Sequence, residues 1–309
     1  MYMDIVTLGE LLIDFTPAGV SASGMALYER NPGGAPANVA AAAARLGLKT
    51  AFIGKVGEDL HGRFLKSVLQ KEGVNVSGLV LEKALPTTLA FVELSENMDR
   101  DFSFVRKGCG DTQLTPEEVS TDLIRSAKIF HVGTLSLTDE PARTATYFAV
   151  KTAHDAGVTV SCDINWRPSL WDGTEDFLRV TEGLLPCVDL LKVSGSEAEL
   201  LTGNPEYKEA AGELLNAYKL RAVAVTLGEN GAYLLTPEDS HSMAAYPAEV
   251  IDTTGAGDCF WAAFLYNYLI TGRPGPESLR FGCAAASISI ERRGAIPAMP
   301  TYAEVINRL

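Results

Sequence analysis

Ile251-Asp252-Thr253-Thr254-Gly255-Ala256-Gly257-Asp258 runs straight into CFWAAFLYNYLI, an apolar stretch that reads as a buried helix. Small residues therefore crowd the point where a helix starts. Gly255, Ala256 and Gly257 let the chain turn tightly and leave unpaired N–H groups at the positive helix end, which makes an anion site suited to a phosphate. A carboxylate beside a phosphate is repelled, so Asp258 needs its own explanation. Either it takes the proton of a substrate hydroxyl lying between it and the phosphate, or it complements the helix dipole in the first turn. The one Gly-Lys pair, Gly54-Lys55, is followed by Val56, so the chain has no P-loop; no G-x-G-x-x-G follows the first strand. The signatures of protein kinases are absent as well.

Working outward, runs rich in β-branched residues at Asp4–Leu8, Thr50–Gly54, Lys128–Val132, Thr159–Asp163, Leu190–Val193 and Ala222–Leu227 read as buried strands. Helical patterns fall at Pro36–Leu46, Gly62–Glu72, Arg143–Ala156, Ser196–Thr202, Glu209–Tyr218, Asp258–Ile270 and Glu277–Glu291, several followed by Gly. Strand alternating with helix implies an α/β fold with a mainly parallel sheet covered on both faces. Two segments break the rhythm: Leu11–Asn31, and Thr87–Arg106, which reads as two alternating strands joined by a polar turn. Together they suggest a small β appendage to a single domain spanning 1–309, placed either as a lid over the carboxyl ends of the main strands or as an edge hairpin.

The 309 residues carry 39 acidic and 26 basic side chains, a formal net charge of -13 that argues against nucleic acid as a partner. No apolar run reaches the length of a membrane span, and Met1–Gly9 lacks the regions of a signal peptide, so a cytoplasmic protein with no membrane partner is expected. Five scattered cysteines, Cys109, Cys162, Cys187, Cys259 and Cys283, show no zinc spacing and read as reduced thiols.

A second glycine stretch, Asn31-Pro32-Gly33-Gly34-Ala35-Pro36-Ala37-Asn38, opens an alanine-rich helix. Asn38 offers donors and an acceptor suited to sugar hydroxyls, or serves as a local cap. GGAPANVAAAAARLG at Gly33–Gly47, KVGEDLHGRFL at Lys55–Leu65 and DTTGAGD at Asp252–Asp258 together resemble the ribokinase/PfkB family of carbohydrate kinases over essentially the whole chain.

That resemblance implies a Rossmann-like α/β domain with a β lid, ATP and Mg2+ as cofactors, and phosphorylation of a sugar's primary hydroxyl. By position, Asp258 matches the catalytic base and Gly255, Ala256 and Gly257 the anion hole. Asp14, Gly33, Gly34 and Asn38 match positions that hold sugar hydroxyls. Thr226, Gly228 and Gly231 resemble the strand and glycine turn beside ATP, and Cys283 is carried over as part of the nucleotide site. Lys192, Ser194 and Glu197 match the family's N-x-x-E region, where the Glu organises Mg2+ through water; here Ser194 replaces the usual Asn, and caps the next helix in the alternative reading. Asp252, Thr254, Ser289, Arg292 and Gly294 fall where relatives bind a monovalent cation such as K+, although Ala298 stands where some offer a hydroxyl.

The stretches 101–106 (DFSFVR) and 163–171 (DINWRPSLW) resemble bacterial fructokinases and also relatives acting on 2-keto-3-deoxygluconate. Arg106 and Arg167 are expected to bond substrate hydroxyls, with Arg167 pairing bidentately with a carboxylate if the substrate has one, or else to form internal salt bridges. Of Phe102 and Phe104, at least one is expected to cover the sugar or pack in the lid. The substrate implied is D-fructose, giving fructose 6-phosphate, with 2-keto-3-deoxygluconate, ribose or a riboside as alternatives. A non-catalytic sugar or nucleotide sensor is the reading from another class. A homodimer formed through the open lid sheet is expected as well.

Overall fold

Nearly every residue of the runs at 3–8, 50–57, 127–133, 159–163, 190–194 and 222–226 is buried, because helices cover the sheet they form on both faces. The computed structural model describes residues 2–94 and 100–309, those at 93, 94 and 100–102 by backbone alone. The turn expected at 95–99 and the ring of Phe102 lie outside the described residues. In chain order the strands are β1 (Met3–Leu8), β2 (Leu12–Val20), β3 (Ala26–Gly33), β4 (Thr50–Gly57), β5 (Asn75–Glu82), β6 (Leu89–Leu94), β7 (Arg100–Val105), β8 (Ala127–Gly133), β9 (Thr159–Asp163), β10 (Leu190–Ser194), β11 (Ala222–Thr226), β12 (Ala232–Leu235) and β13 (Ser240–Met243). The helices are α1 (Ala35–Arg45), α2 (Leu60–Lys71), α3 (Thr121–Arg125), α4 (Ala142–Asp155), α5 (Thr174–Leu184), α6 (Gly195–Thr202), α7 (Tyr207–Tyr218), α8 (Ala256–Thr271), α9 (Pro276–Ser289) and α10 (Tyr302–Arg308).

The large sheet has the order β13-β12-β11-β10-β9-β8-β1-β4-β5. It is parallel from β11 to β5, and β12 and β13 extend it antiparallel. Chain order reverses between β1 and β8, which opens a crevice at the carboxyl ends of the strands there. One core packs α1, α8 and α9 on one face, with Trp261, Phe264 and Ile288; a second packs α4, α5 and α7 on the other, around Phe130 and Phe177. Trp261 stacks on Phe264 with ring centroids 4.7 Å apart and donates from Nε1 to Ser161 Oγ of β9 at 2.8 Å, which pins α8 to the sheet.

A separate sheet, β3-β2-β6-β7, springs from the carboxyl edge of the first. Strand β2 starts four residues after β1 ends, and β3 runs through Gly33 and Gly34 into α1. Gly34 has φ 111°, and a Cβ there would lie 2.3 Å from Glu10 O, so only glycine makes this turn. Elements the sequence reading passed over are α3, α5, α10, β5 and the β12–β13 hairpin. Strand β5 is half-exposed and interrupted by Gly78, and β13 (SHSM) is polar and exposed, so neither shows a buried apolar run.

Candidate active site

Helix α8 begins at Ala256 after Gly255, whose φ of 74° is left-handed, and no side chain caps this end. Ala256 N donates back to Thr253 O at 3.2 Å, and the first turn that follows makes the positive, anion-binding end of the helix. Asp258, in that first turn, is buried, and its Oδ2 accepts from Asn38 Nδ2 of α1 at 2.8 Å. The two glycine stretches thus meet through one hydrogen bond. Asn38 Oδ1 is buried without a partner, and suits the hydroxyl of a bound sugar. Burial first, then Asp163, pushes the Asp258 carboxyl up to about 6, against the Asn38 bond, Lys192 and Arg167. A carboxylate tuned this way is ionised at neutral pH yet basic enough to take a proton.

On the small-sheet side, the Asp14 carboxylate lies against Gly33, where a Cβ would fall 2.1 Å from Oδ2. Asp14 is buried on β2, paired in register with Asn31 of β3. Phe104 is half-buried on β7, in register with Ala90. Arg167 is half-buried; it donates to Trp166 O at 3.0 Å and its charge acts on Asp258. Arg106 makes the internal bonds that were one of its two expected roles. It is buried, and it donates to Asp111 Oδ2 at 2.7 Å, Leu135 O at 2.8 Å and Thr138 Oγ1 at 2.5 Å, tying the end of β7 to the main body. A guanidinium buried on this scale needs such partners, which the local sequence did not reveal.

On the other side of α8 lies a cleft of about 620 Å3, lined among others by Thr226, Gly228, Gly231, Gly257, Phe260 and Cys283. Ala245, Tyr246, Pro247, Ala248 and Val250 belong to the same wall; they lie in an irregular stretch with no periodicity by which to find them. The volume and the apolar walls suit a nucleotide base and ribose, with phosphates directed at the start of α8. Ser194 caps α6: its Oγ accepts from Glu197 N at 3.2 Å, so the hydroxyl does for the helix what the alternative reading foresaw. Glu197 accepts from Ser194 N at 2.7 Å and Trp166 N at 2.8 Å. Lys192 Nζ donates to Asp163 at 2.8 and 2.9 Å, a partner to which the sequence reading gave no role. Its only signal was a carboxylate at the carboxyl end of a short buried strand, TVSCD.

Among the described residues no three His, Cys, Asp or Glu side chains are grouped to hold a metal ion. A Mg2+ ion here would take its ligands from phosphates and water rather than from a cluster of carboxylates. Asp252 accepts from Thr254 N at 2.8 Å and Gly294 N at 3.0 Å, which draws those two loops together. Ser289 Oγ donates to Ala286 O at 2.9 Å, and Arg292 pairs with Glu304.

Residues 3–302 match the model of the pfkB family carbohydrate kinases. Fructokinase-2 of Solanum lycopersicum is 40% identical over 313 residues, covering 99% of this chain and 95% of the relative. A fructokinase from Xylella fastidiosa, solved with bound ATP, superposes with a TM-score of 0.91 at 30% identity, over 100% of this chain and 98% of the other. A double-mutant fructokinase from Vibrio cholerae O395, solved with fructose, ADP and potassium ion, gives 0.88 at 28% identity, over 100% and 99%. A family match over nearly the whole length, on a fold whose two glycine stretches meet at Asp258, makes this chain a member of the pfkB family of carbohydrate kinases.

Proposed function

We propose that this chain is an ATP-dependent fructokinase that transfers the γ-phosphoryl group to the primary hydroxyl of D-fructose, giving fructose 6-phosphate. The observation that carries the reading is the placement of Asp258, joined to Asn38 on the small-sheet side and set at the amide end of α8 on the cleft side. MgATP supplies the phosphoryl group and a cation to neutralise its phosphates. Asp14, Gly33, Gly34 and Asn38 orient the sugar. Asp258 takes the proton of the hydroxyl as its oxygen attacks, and the amides at Gly255, Ala256 and Gly257 hold the charge that moves onto the phosphoryl oxygens. Thr226, Gly228, Gly231 and Cys283 hold the nucleotide, while Lys192 and Glu197 act on its phosphates and metal. The small sheet serves as a lid over a single catalytic domain, and excludes water when sugar is bound.

The same reading assigns the loops gathered by Asp252 to a monovalent cation such as K+, in keeping with the potassium-bound relative. Exposed Tyr28 and Val105, which the strand registers put on one face of the small sheet, support a homodimer through that face. No described helix is long and apolar enough to cross a membrane, and all five cysteines are unpaired, which suits a reducing compartment such as the cytoplasm. Arg167, half-buried and acting on Asp258, is the guanidinium that a sugar acid would pair with, so the substrate panel has to include one. The test is ADP formation across fructose, 2-keto-3-deoxygluconate, ribose and nucleosides, with the product of the best substrate identified. Preference for fructose with phosphate on the primary hydroxyl is expected; preference for the sugar acid, or no turnover with any sugar, overturns the reading.

A further inference from the structure

Asp163 closes β9, fully buried, and both its carboxylate oxygens accept from Lys192 Nζ of β10. The ammonium held there lies against Gly257, since a Cβ on that glycine would come within 2.9 Å of Nζ and 3.5 Å of Cε. Gly257 belongs to the amide end of α8 and lines the nucleotide cleft. A buried ion pair is a weak stabiliser compared with apolar residues of the same volume, so packing alone does not account for one in this place.

The charges around the pair are few and lie on separate elements. Lys192 faces Asp163 of β9, Glu197 of α6 and Asp258 of α8. Asp258 in turn faces Asp163, Lys192 and Arg167, the last from the segment after β9, with Asn38 of α1 as its neutral partner. A lysine stem is flexible, and without Asp163 its ammonium has two nearby carboxylates to turn to: Glu197, whose oxygens already accept from Trp166 N and Ser194 N, and Asp258.

We propose that Asp163 is a positioning residue for phosphoryl transfer: it pins the Lys192 ammonium under Gly257, where the charge supports the anion-binding amides, and keeps it from pairing with Asp258. Lys192 then adds a fixed positive charge beside the passing phosphoryl group, and Asp258 stays available as a base. This also accounts for glycine at 257, because any side chain would displace an ammonium that Asp163 holds from the other side. The inference rests on the reading of Asp258 as the base.

The two charges act on Asp258 in opposite senses, Asp163 raising its proton affinity and Lys192 lowering it. Asp163→Asn, Lys192→Met, the double variant and Asp258→Asn are compared by their profiles of kcat/KM against pH with fructose and MgATP. The acid limb is expected to move to lower pH in Asp163→Asn and to higher pH in Lys192→Met. Turnover is expected to fall about tenfold in the first and about 100-fold in the second, as for loss of an oxyanion donor. The double variant replaces the ion pair by two uncharged side chains and still turns over as slowly as Lys192→Met. It also carries the comparison if Lys192→Met does not fold. Limbs that stay in place or move in the same direction in both single variants, or a double variant with wild-type turnover, would show a merely structural pair and overturn the proposal. Wild-type turnover in Asp258→Asn would instead remove the base assignment on which it rests.

Discussion

Asn38 Nδ2 donates to Asp258 Oδ2 at 2.8 Å across 220 positions of sequence. This bond joins the start of α1, which follows the sugar-side glycines, to the start of α8, which borders the cleft. It lowers the proton affinity of a carboxylate that burial raises. Asn38→Ala is therefore expected to move the acid limb of kcat/KM to higher pH and to raise KM for the sugar about tenfold or more, the cost of a lost hydrogen bond to a buried polar group. Steady-state kinetics across pH check both effects; an unmoved limb would count against a role for Asn38 at the base.

The rate of the wild-type enzyme should itself fall as pH drops through about 6, the value to which the Asp258 carboxyl is pushed. The sign follows from the role: the base works only when ionised, so activity is full above this value and declines tenfold per pH unit below it. A profile flat down to about pH 4.5, near an ordinary carboxyl, would mean that Asp258 is not the titrating group.

Both glycine stretches were legible from residues alone because their chemistry is local: small residues before a helix leave the backbone open whatever surrounds them. The parallel sheet was legible for the same reason, its strands β1, β4, β8, β9, β10 and β11 being short apolar runs. What escaped depended on contacts distant in sequence. Arg106 could be read as a substrate ligand or an internal ion, and its bonds to Asp111, Leu135 and Thr138 show only once the chain is folded. Ala245, Tyr246, Pro247, Ala248 and Val250 line the cleft without periodicity, and Asp163 shows its partner only once β9 lies beside β10.

Gly33→Ala tests the sugar side of the site. A Cβ there would fall 2.1 Å from Asp14 Oδ2, so the carboxylate must move. The expected result is a KM for fructose raised about tenfold or more with KM for ATP nearly unchanged, the pattern of lost uniform substrate binding. Equal effects on both substrates would point to a general distortion of the fold.

Glu10 follows β1 fully buried; its Oε1 accepts from Ala35 N at 2.6 Å and its Oε2 has no partner. Burial pushes its carboxyl up to about 7, above the ordinary 4.5, against the bonds to backbone amides and the charge of Arg106. The folded state thus binds the proton more tightly than the unfolded one, and Glu10 costs stability increasingly as pH rises from 4.5 to about 7. Glu10→Gln removes that cost and keeps an oxygen for Ala35. Urea unfolding should show the variant more stable by on the order of 1–3 kcal/mol at about pH 8 and little different at about pH 4. A difference independent of pH would contradict this account.

Whether Asp258 is the base of the transfer is measured by fructose-dependent ADP formation by Asp258→Asn against the wild type, at saturating fructose and MgATP near neutral pH. The account predicts turnover lower by about 10³-fold, in a protein whose thermal unfolding temperature is unchanged or higher because a buried charge has been removed. Turnover within tenfold of the wild type would contradict it.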